Sequence, residues 1–395
     1  MQPAILQGLR VVDLTRIVAG PFTTRMLADF GAEVIKVQSA KMATGIESNT
    51  TPYFCAWNRN KRSITLDMDY PEAREILLDL VKISDIVVEN FSPRVMSNWD
   101  LDYPTLSKSN ERLIMLSMSA AGQNGPWKDF VAYGPTVQSL GGLTYLTSYS
   151  REAPMGFGYA HADMVSGLYG AISILGALEH RDRCGQGQYI DLSEYEAVCT
   201  TIGPALIDAC FNQNLIAPQG NDAEQKPAAP YGCYKCSGED RWCVIAVFTE
   251  DEWQALCGVL GNPVWSAEGK FSSLASRKKY KAILDTHIGE WTAAQTAENV
   301  ADCLQQAGIA AGVVQNAEDL ANDPQLIAGE FFTSLNHPVL GEIKTDAYPL
   351  KFKNYRQTPW KASPLLGEAN QYVFEELLGM TKTTIQSYID QGIIA

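Results

Sequence analysis

The sequence predicts an α/β fold, a doubly wound parallel sheet in a large domain, followed by a smaller α+β domain. Three observations carry this. Short apolar strands alternate with helical stretches through the opening third of the chain, the pattern of a parallel sheet with crossover helices. The length of 395 residues exceeds one ordinary core. Residues 211–230, FNQNLIAPQGNDAEQKPAAP, form a polar stretch with several Pro and Gly that suits a domain boundary.

The elements follow in order. LRVVDL reads as a short buried strand, TRIVAGPF as a loop carrying Gly20-Pro21, TTRMLADFG as a helix ended by Gly31, and AEVIKV as a second strand. RSITLDM, the helix PEAREILLDLVKIS and the strand DIVVEN repeat the unit, and RLIMLSMS adds a strand. Two long helices are expected next, Asp163–Arg181 and Leu192–Cys210, joined by a turn and short strand in DRCGQGQYID. In the first, Leu168, Ile172, Leu175 and Leu178 recur at helical spacing, as in a buried helix. Residues 231–330 alternate strands (WCVIAVF, IAAGVV) with three helices. Beyond Phe332 a return segment of short strands precedes a closing amphipathic helix pair at 367–392. The domains are thus 1–210, 231–330 and a C-terminal return at 331–395.

The chain is 46% hydrophobic and 19% charged, as in a folded globular protein. A net charge of −14 argues against nucleic acid or an anionic membrane as partner. No signal peptide or membrane-length apolar run is legible, and nine scattered cysteines suit a reduced compartment, so a cytoplasmic protein is expected. Cys233 and Cys236 have redox or zinc spacing, but no second pair or nearby His accompanies them; a buried strand is the simpler reading. No metal site is expected.

Candidate chemistry gathers at three places. The loop Arg16–Phe22 leaves a strand and opens a helix, where backbone N–H groups suit an anion, although an ordinary turn would look the same. VVENFSPRV sets Asn90, Phe91 and Arg94 just past a strand end: an amide for hydrogen bonding, a ring for stacking and a cation for phosphate. Asp163 opens the apolar helix. Locally it reads as a capping residue, and His161, two residues earlier, points elsewhere. There is no GxGxxG, GxSxG or P-loop.

LQGLRVVDLTRIVAGPFTTRMLADFGAEVIKV strongly resembles the opening of class III CoA-transferases, the formyl-CoA and carnitine type. The likeness continues in family order through AWNRNKRSITLDM, VVENFSPRVM, AAGQNGPW, ALEHRDRCGQGQYIDLSEYEA, AGIAAGVV, NDPQ and SPLLGE. The resemblance implies a large domain built from both chain ends and an interlocked dimer, homomeric or formed with a related subunit. It implies a covalent route in which Asp163 is the nucleophile, with an acyl-CoA donor, a carboxylic acid acceptor and no tightly bound cofactor. It assigns coenzyme A contacts to Val18 and Ala19, to Leu66, and to Asn90 and Phe91; Arg94 is a candidate for the phosphates.

The sequence departs from the family pattern at Gln38-Ser39, Asp69, Asn98 and Gly134, and the glycine-rich mobile loop of formyl-CoA transferases is missing. The first three positions thin the expected cationic grip on phosphate. Gly134 is expected to leave room for a bulkier acceptor; with Met155 and Phe157 it points to dicarboxylic or aryl-substituted acids such as benzylsuccinate, with succinyl-CoA as donor. Two alternatives stand beside the transferase. One is a half-competent subunit of a heteromer. The other is an acyl-CoA racemase, which needs a His where this chain has Tyr133.

Overall fold

The computed structural model describes residues 4–221, 227–353 and 359–395. Two compact units emerge. The first comprises residues up to 144, 156–215 and 330–395; the second comprises 145–155 and 216–329. Residues 145–155 therefore group with the second unit, whereas the sequence reading ran the first domain unbroken to 210.

The first unit begins with β1 (Arg10–Asp13), α1 (Ala19–Asp29), β2 (Glu33–Gln38), α2 (Pro52–Asn58), β3 (Arg62–Thr65), α3 (Pro71–Lys82), β4 (Ile86–Glu89), α4 (Arg94–Asn98), α5 (Tyr103–Ser109) and β5 (Ile114–Ser119). After α6 (Gly134–Leu140) and α7 (Leu143–Leu146) come the long α8 (His161–Cys184), β6 (Gln188–Ser193), α9 (Glu194–Thr201) and α10 (Gly203–Phe211). The six strands form one parallel sheet in the order β3-β2-β1-β4-β5-β6. The order reverses between β1 and β4, and in such sheets ligands bind beyond the carboxyl ends at that point.

Alternation along the strands explains the two layers. Val11, Val34, Val88 and Leu116 face α1 and α8. Val12, Ile35, Ile64 and Val87 face α3 and the chain's end, where Val373, Phe374, Ile393 and Ile394 complete the same core. The C-terminus is pinned there: Thr65 Oγ1 donates to the Ala395 carbonyl at 2.7 Å, and the Asp67 N–H donates to the Ile393 carbonyl at 2.9 Å.

Two helical expectations need correction. The segment Leu192–Cys210 is not one helix: Leu192 and Ser193 belong to a strand, and the helix breaks at Ile202, where Gly203-Pro204 starts a new one. In α8 the packed face keeps only Leu178 of the expected stripe. Leu168, Ile172 and Leu175 are 48%, 65% and 46% exposed. The buried face runs through Gly167, Gly170, Ala171, Ile174 and Ala177. A Cβ on Gly167 would lie 2.7 Å from the Phe22 ring, and one on Gly170 would lie 2.8 Å from Thr23 Oγ1. Small residues thus let α8 lie directly on α1.

The second unit holds an antiparallel sheet of β7 (Tyr231–Lys235), β8 (Trp242–Ala246) and β9 (Ala310–Val313). Its core is Trp253, Phe271, Leu284, Ile288, Val300 and Leu304. Cys233 lies in β7 and Cys236 is buried just beyond it.

Candidate active site

The loops after β1 and β4 meet where the strand order reverses. Asn90 clasps the β1 loop: its Oδ1 accepts the Arg16 N–H at 2.8 Å, and its Nδ2 donates to the Arg16 carbonyl at 2.9 Å. The next residue, Ile17, has φ +66°, a left-handed conformation that a β-branched residue adopts only under constraint. Glu47 supplies part of that constraint, accepting the Ile17 N–H at 2.9 Å and lying 3.6 Å from Arg16 Nε.

A buried charge cluster fixes the floor. Asp13, at the end of β1, accepts from Lys61 Nζ at 2.9 Å, Thr24 Oγ1 at 2.8 Å and the Thr15 N–H at 2.9 Å. Burial pushes the Asp13 carboxyl up, but Lys36, Lys61 and Thr15 outweigh it and bring it to about 2. Burial lowers Lys61 to about 7 despite Asp13.

Two cavities lie beside these loops and share Arg16 and Phe91 as lining residues. The first, of about 340 Å³, is lined by Leu66, Gln38, Lys41, Asp69 and Trp99 among others. Lys41 at its edge is held by two carboxylates, 2.6 Å from Asp67 and 3.2 Å from Asp69. The second, of about 300 Å³, is lined by Asn90, Ser119, Lys128, Tyr133, Gly134, Asp163 and Glu194 among others.

Asp163 sits in the first turn of α8, 8% exposed. Burial raises its carboxyl to about 6, against the opposing pull of the Asp163 and Ala19 backbone N–H groups that face it. The close seating of α8 on α1 sets this approach, helped by Thr23 Oγ1 donating to the Gly167 carbonyl at 3.1 Å. Asp163 Oδ2 is buried with no hydrogen-bond partner among the described residues. Asp163 is not the helix cap: Ala160 holds that position without a side-chain bond, and Asp163 lies three residues further in. The arrangement offers a desolvated carboxylate beside a helix N-terminus, suited to attack on an activated carbonyl.

The sequence-named residues distribute as follows. Leu66 and Phe91 line the first cavity; Phe91, Asn90 and Asp163 line the second. Val18 and Ala19 are buried at the start of α1 and line neither, Ala19 acting through its N–H. Arg94 and Asn98 are exposed on α4 and line neither. Gln38 exchanges amide hydrogen bonds with Asn49 at 3.0 and 3.1 Å. Met155 and Phe157 are half-exposed, and the His161 ring stacks edge-on against Phe157. Gly134 does not leave empty room: a Cβ there would fall 2.1 Å from Asp163 Oδ2, so the carboxylate itself fills the space. Sequence reasoning missed Glu194, Lys41 and Lys128; each looks like an ordinary surface charge until the fold is known.

A profile described as CoA-transferase family III matches residues 6–370. The chain belongs to that family. It is 30% identical to the succinyl-CoA–D-citramalate CoA-transferase of Chloroflexus aurantiacus, covering 96% of each chain. A probable CoA-transferase of Mycobacterium tuberculosis is 31% identical over 98% of this chain, which spans 50% of that protein's length. The crystal structure of a CAIB/BAIF family protein from Brucella suis superposes with a TM-score of 0.87 at 30% identity, covering 95% of this chain and all of that one. Among the described residues no helix is long and apolar enough to cross a membrane.

Proposed function

We propose that this family III protein moves coenzyme A from succinyl-CoA to a dicarboxylic acid, with Asp163 as the nucleophile. The observation that carries the reading is the buried Asp163 carboxylate, whose unpartnered Oδ2 stands on a cavity that shares Arg16 and Phe91 as lining residues with a second one. On this reading the nucleotide end of the substrate occupies the cavity at Leu66, and its pantetheine arm passes Arg16 and Phe91 to Asp163. The dicarboxylic acceptor is supported by the name of the Chloroflexus relative and by Lys128, which makes no ion pair among the described residues of the cavity.

The chemistry balances without a redox partner. The Asp163 carboxylate attacks the thioester carbonyl; the C–S bond breaks, leaving a mixed anhydride and a thiolate. The thiolate attacks the aspartyl carbonyl, expels succinate and leaves an aspartyl-CoA thioester. The acceptor carboxylate attacks that carbonyl, the thiolate departs and then attacks the acceptor carbonyl, returning Asp163 as a carboxylate. The Asp163 and Ala19 N–H groups that face the carboxyl are the candidate oxyanion donors. Among the described residues no His lines the Asp163 cavity, which favours transfer over α-carbon epimerisation.

The reading includes a second chain. Leu168, Ile172 and Leu175 on α8 and Ile207 and Phe211 on α10 are exposed apolar residues of the kind a subunit interface covers. The test of function is exchange of isotopically labelled succinate into succinyl-CoA. Exchange by the wild type and its loss in Asp163→Ala support the reading; exchange retained by Asp163→Ala refutes it.

A further inference from the structure

Glu194 is the first residue of α9, following the Ser193 cap. An acid in a helix's first turn ordinarily faces water and favours the helix dipole. This one turns inward. It is 8% exposed, lines the Asp163 cavity, and makes no side-chain hydrogen bond or ion pair to any described residue. A largely buried carboxyl that lines a cavity and makes no bond within the protein is free to bond a group bound in that cavity.

Resting on the transferase reading, we infer that Glu194 is an acid-recognition residue: as a neutral carboxylic acid it donates a hydrogen bond to the carboxylate of the dicarboxylic substrate that does not react with Asp163, while Lys128 balances that charge. An ionised Glu194 would place three carboxylates in one cavity of about 300 Å³, which the available cations do not offset, Arg16 being already engaged by Glu47. Burial, and then the Asp163 charge, hold the Glu194 carboxyl up at about 8, so it keeps its proton at neutral pH while Asp163 is ionised. The charged and titratable groups around it are Asp163 on α8, Arg16 after β1, Lys128 and Tyr133 ahead of α6, and Tyr195 and Glu196 beside it on α9. This split between two neighbouring carboxyls assigns one to nucleophilic attack and the other to donation.

The experiment is labelled-succinate exchange into succinyl-CoA by the full chain, followed from pH 7 to 9. Glu194→Leu removes the donor without leaving an unpaired polar group, so folding is retained. It is expected to raise the KM for succinate roughly tenfold or more with kcat kept, the mark of lost binding to a non-reacting group. In the wild type, KM rises as pH climbs through about 8 and Glu194 ionises. In Glu194→Gln, which keeps an N–H donor but cannot ionise, KM is flat over that range. An unchanged KM in Glu194→Leu, a fall in kcat instead, or an alkaline rise retained in Glu194→Gln overturns the assignment. Absence of exchange in the wild type overturns the transferase reading itself and the assignment with it, which separates the two failures.

Discussion

Replacing Gly134 by alanine asks whether the position of the Asp163 carboxylate is the source of activity. The added Cβ would lie 2.1 Å from Oδ2 and 3.2 Å from the Ala160 Cβ. Ordinary contact begins near 3.4 Å, so the carboxylate must retreat by about 1 Å, since the methyl is anchored to the backbone at the start of α6. A displacement of about 1 Å at a reacting group costs roughly a hundredfold in rate. Overpacking costs about 1–3 kcal/mol in stability, too little to unfold a domain of ordinary stability. Gly134→Ala is therefore expected to fold, to bind coenzyme A through the untouched cavity at Leu66, and to lose about two orders of magnitude in succinate exchange. Thermal unfolding, calorimetric titration with coenzyme A and the exchange rate report the three quantities separately. Exchange at the wild-type rate would refute the reasoning, because it would show that Asp163 acts from a position other than the one Gly134 permits.

Two further predictions follow from the same geometry. The native Asp163 carboxyl is raised from 3.8 to about 6, a penalty of roughly 3 kcal/mol on the ionised native state. The native state thus holds a proton that the unfolded chain has lost, and wild-type stability falls as pH rises from about 4 through about 6. Asp163→Asn should be the more stable protein at pH 8 by up to about 3 kcal/mol and should converge with wild type near pH 4 in denaturant titrations; a gap independent of pH would contradict this. On the two-chain reading proposed above, Ile172→Glu, at a 65% exposed position on α8, should leave the fold intact and lower the mass read by light scattering; an unchanged mass would remove this face from the proposed interface.

The fold was largely legible because parallel strands buried on both faces leave continuous apolar runs, and LRVVDL, DIVVEN and RLIMLSMS all became strands of the six-stranded sheet. Helical spacing was less informative. It identified α8 as a helix, but of the four residues expected to be buried only Leu178 is, because the face on α1 is built of small residues that let the two helices touch. The broken helix at Ile202 carried its own warning in Gly203-Pro204. At the site, local sequence read Asp163 as a cap; the structure puts Ala160 at the cap and leaves Asp163 Oδ2 unpartnered against Gly134, 29 positions earlier in the chain. Glu194 was illegible for a similar reason, since Ser193-Glu194 is an ordinary helix start whose side chain turns inward only in the folded unit.

The central claim is that coenzyme A becomes covalently attached to Asp163. Its most direct test is intact-protein mass spectrometry of the chain mixed with succinyl-CoA, with peptide mapping of the product before and after hydroxylamine. The account predicts a mass gain of one coenzyme A, localised to the peptide containing Asp163, removed by hydroxylamine and missing from Asp163→Ala. Turnover of succinyl-CoA with an unmodified Asp163, or an adduct that persists in Asp163→Ala, would contradict it.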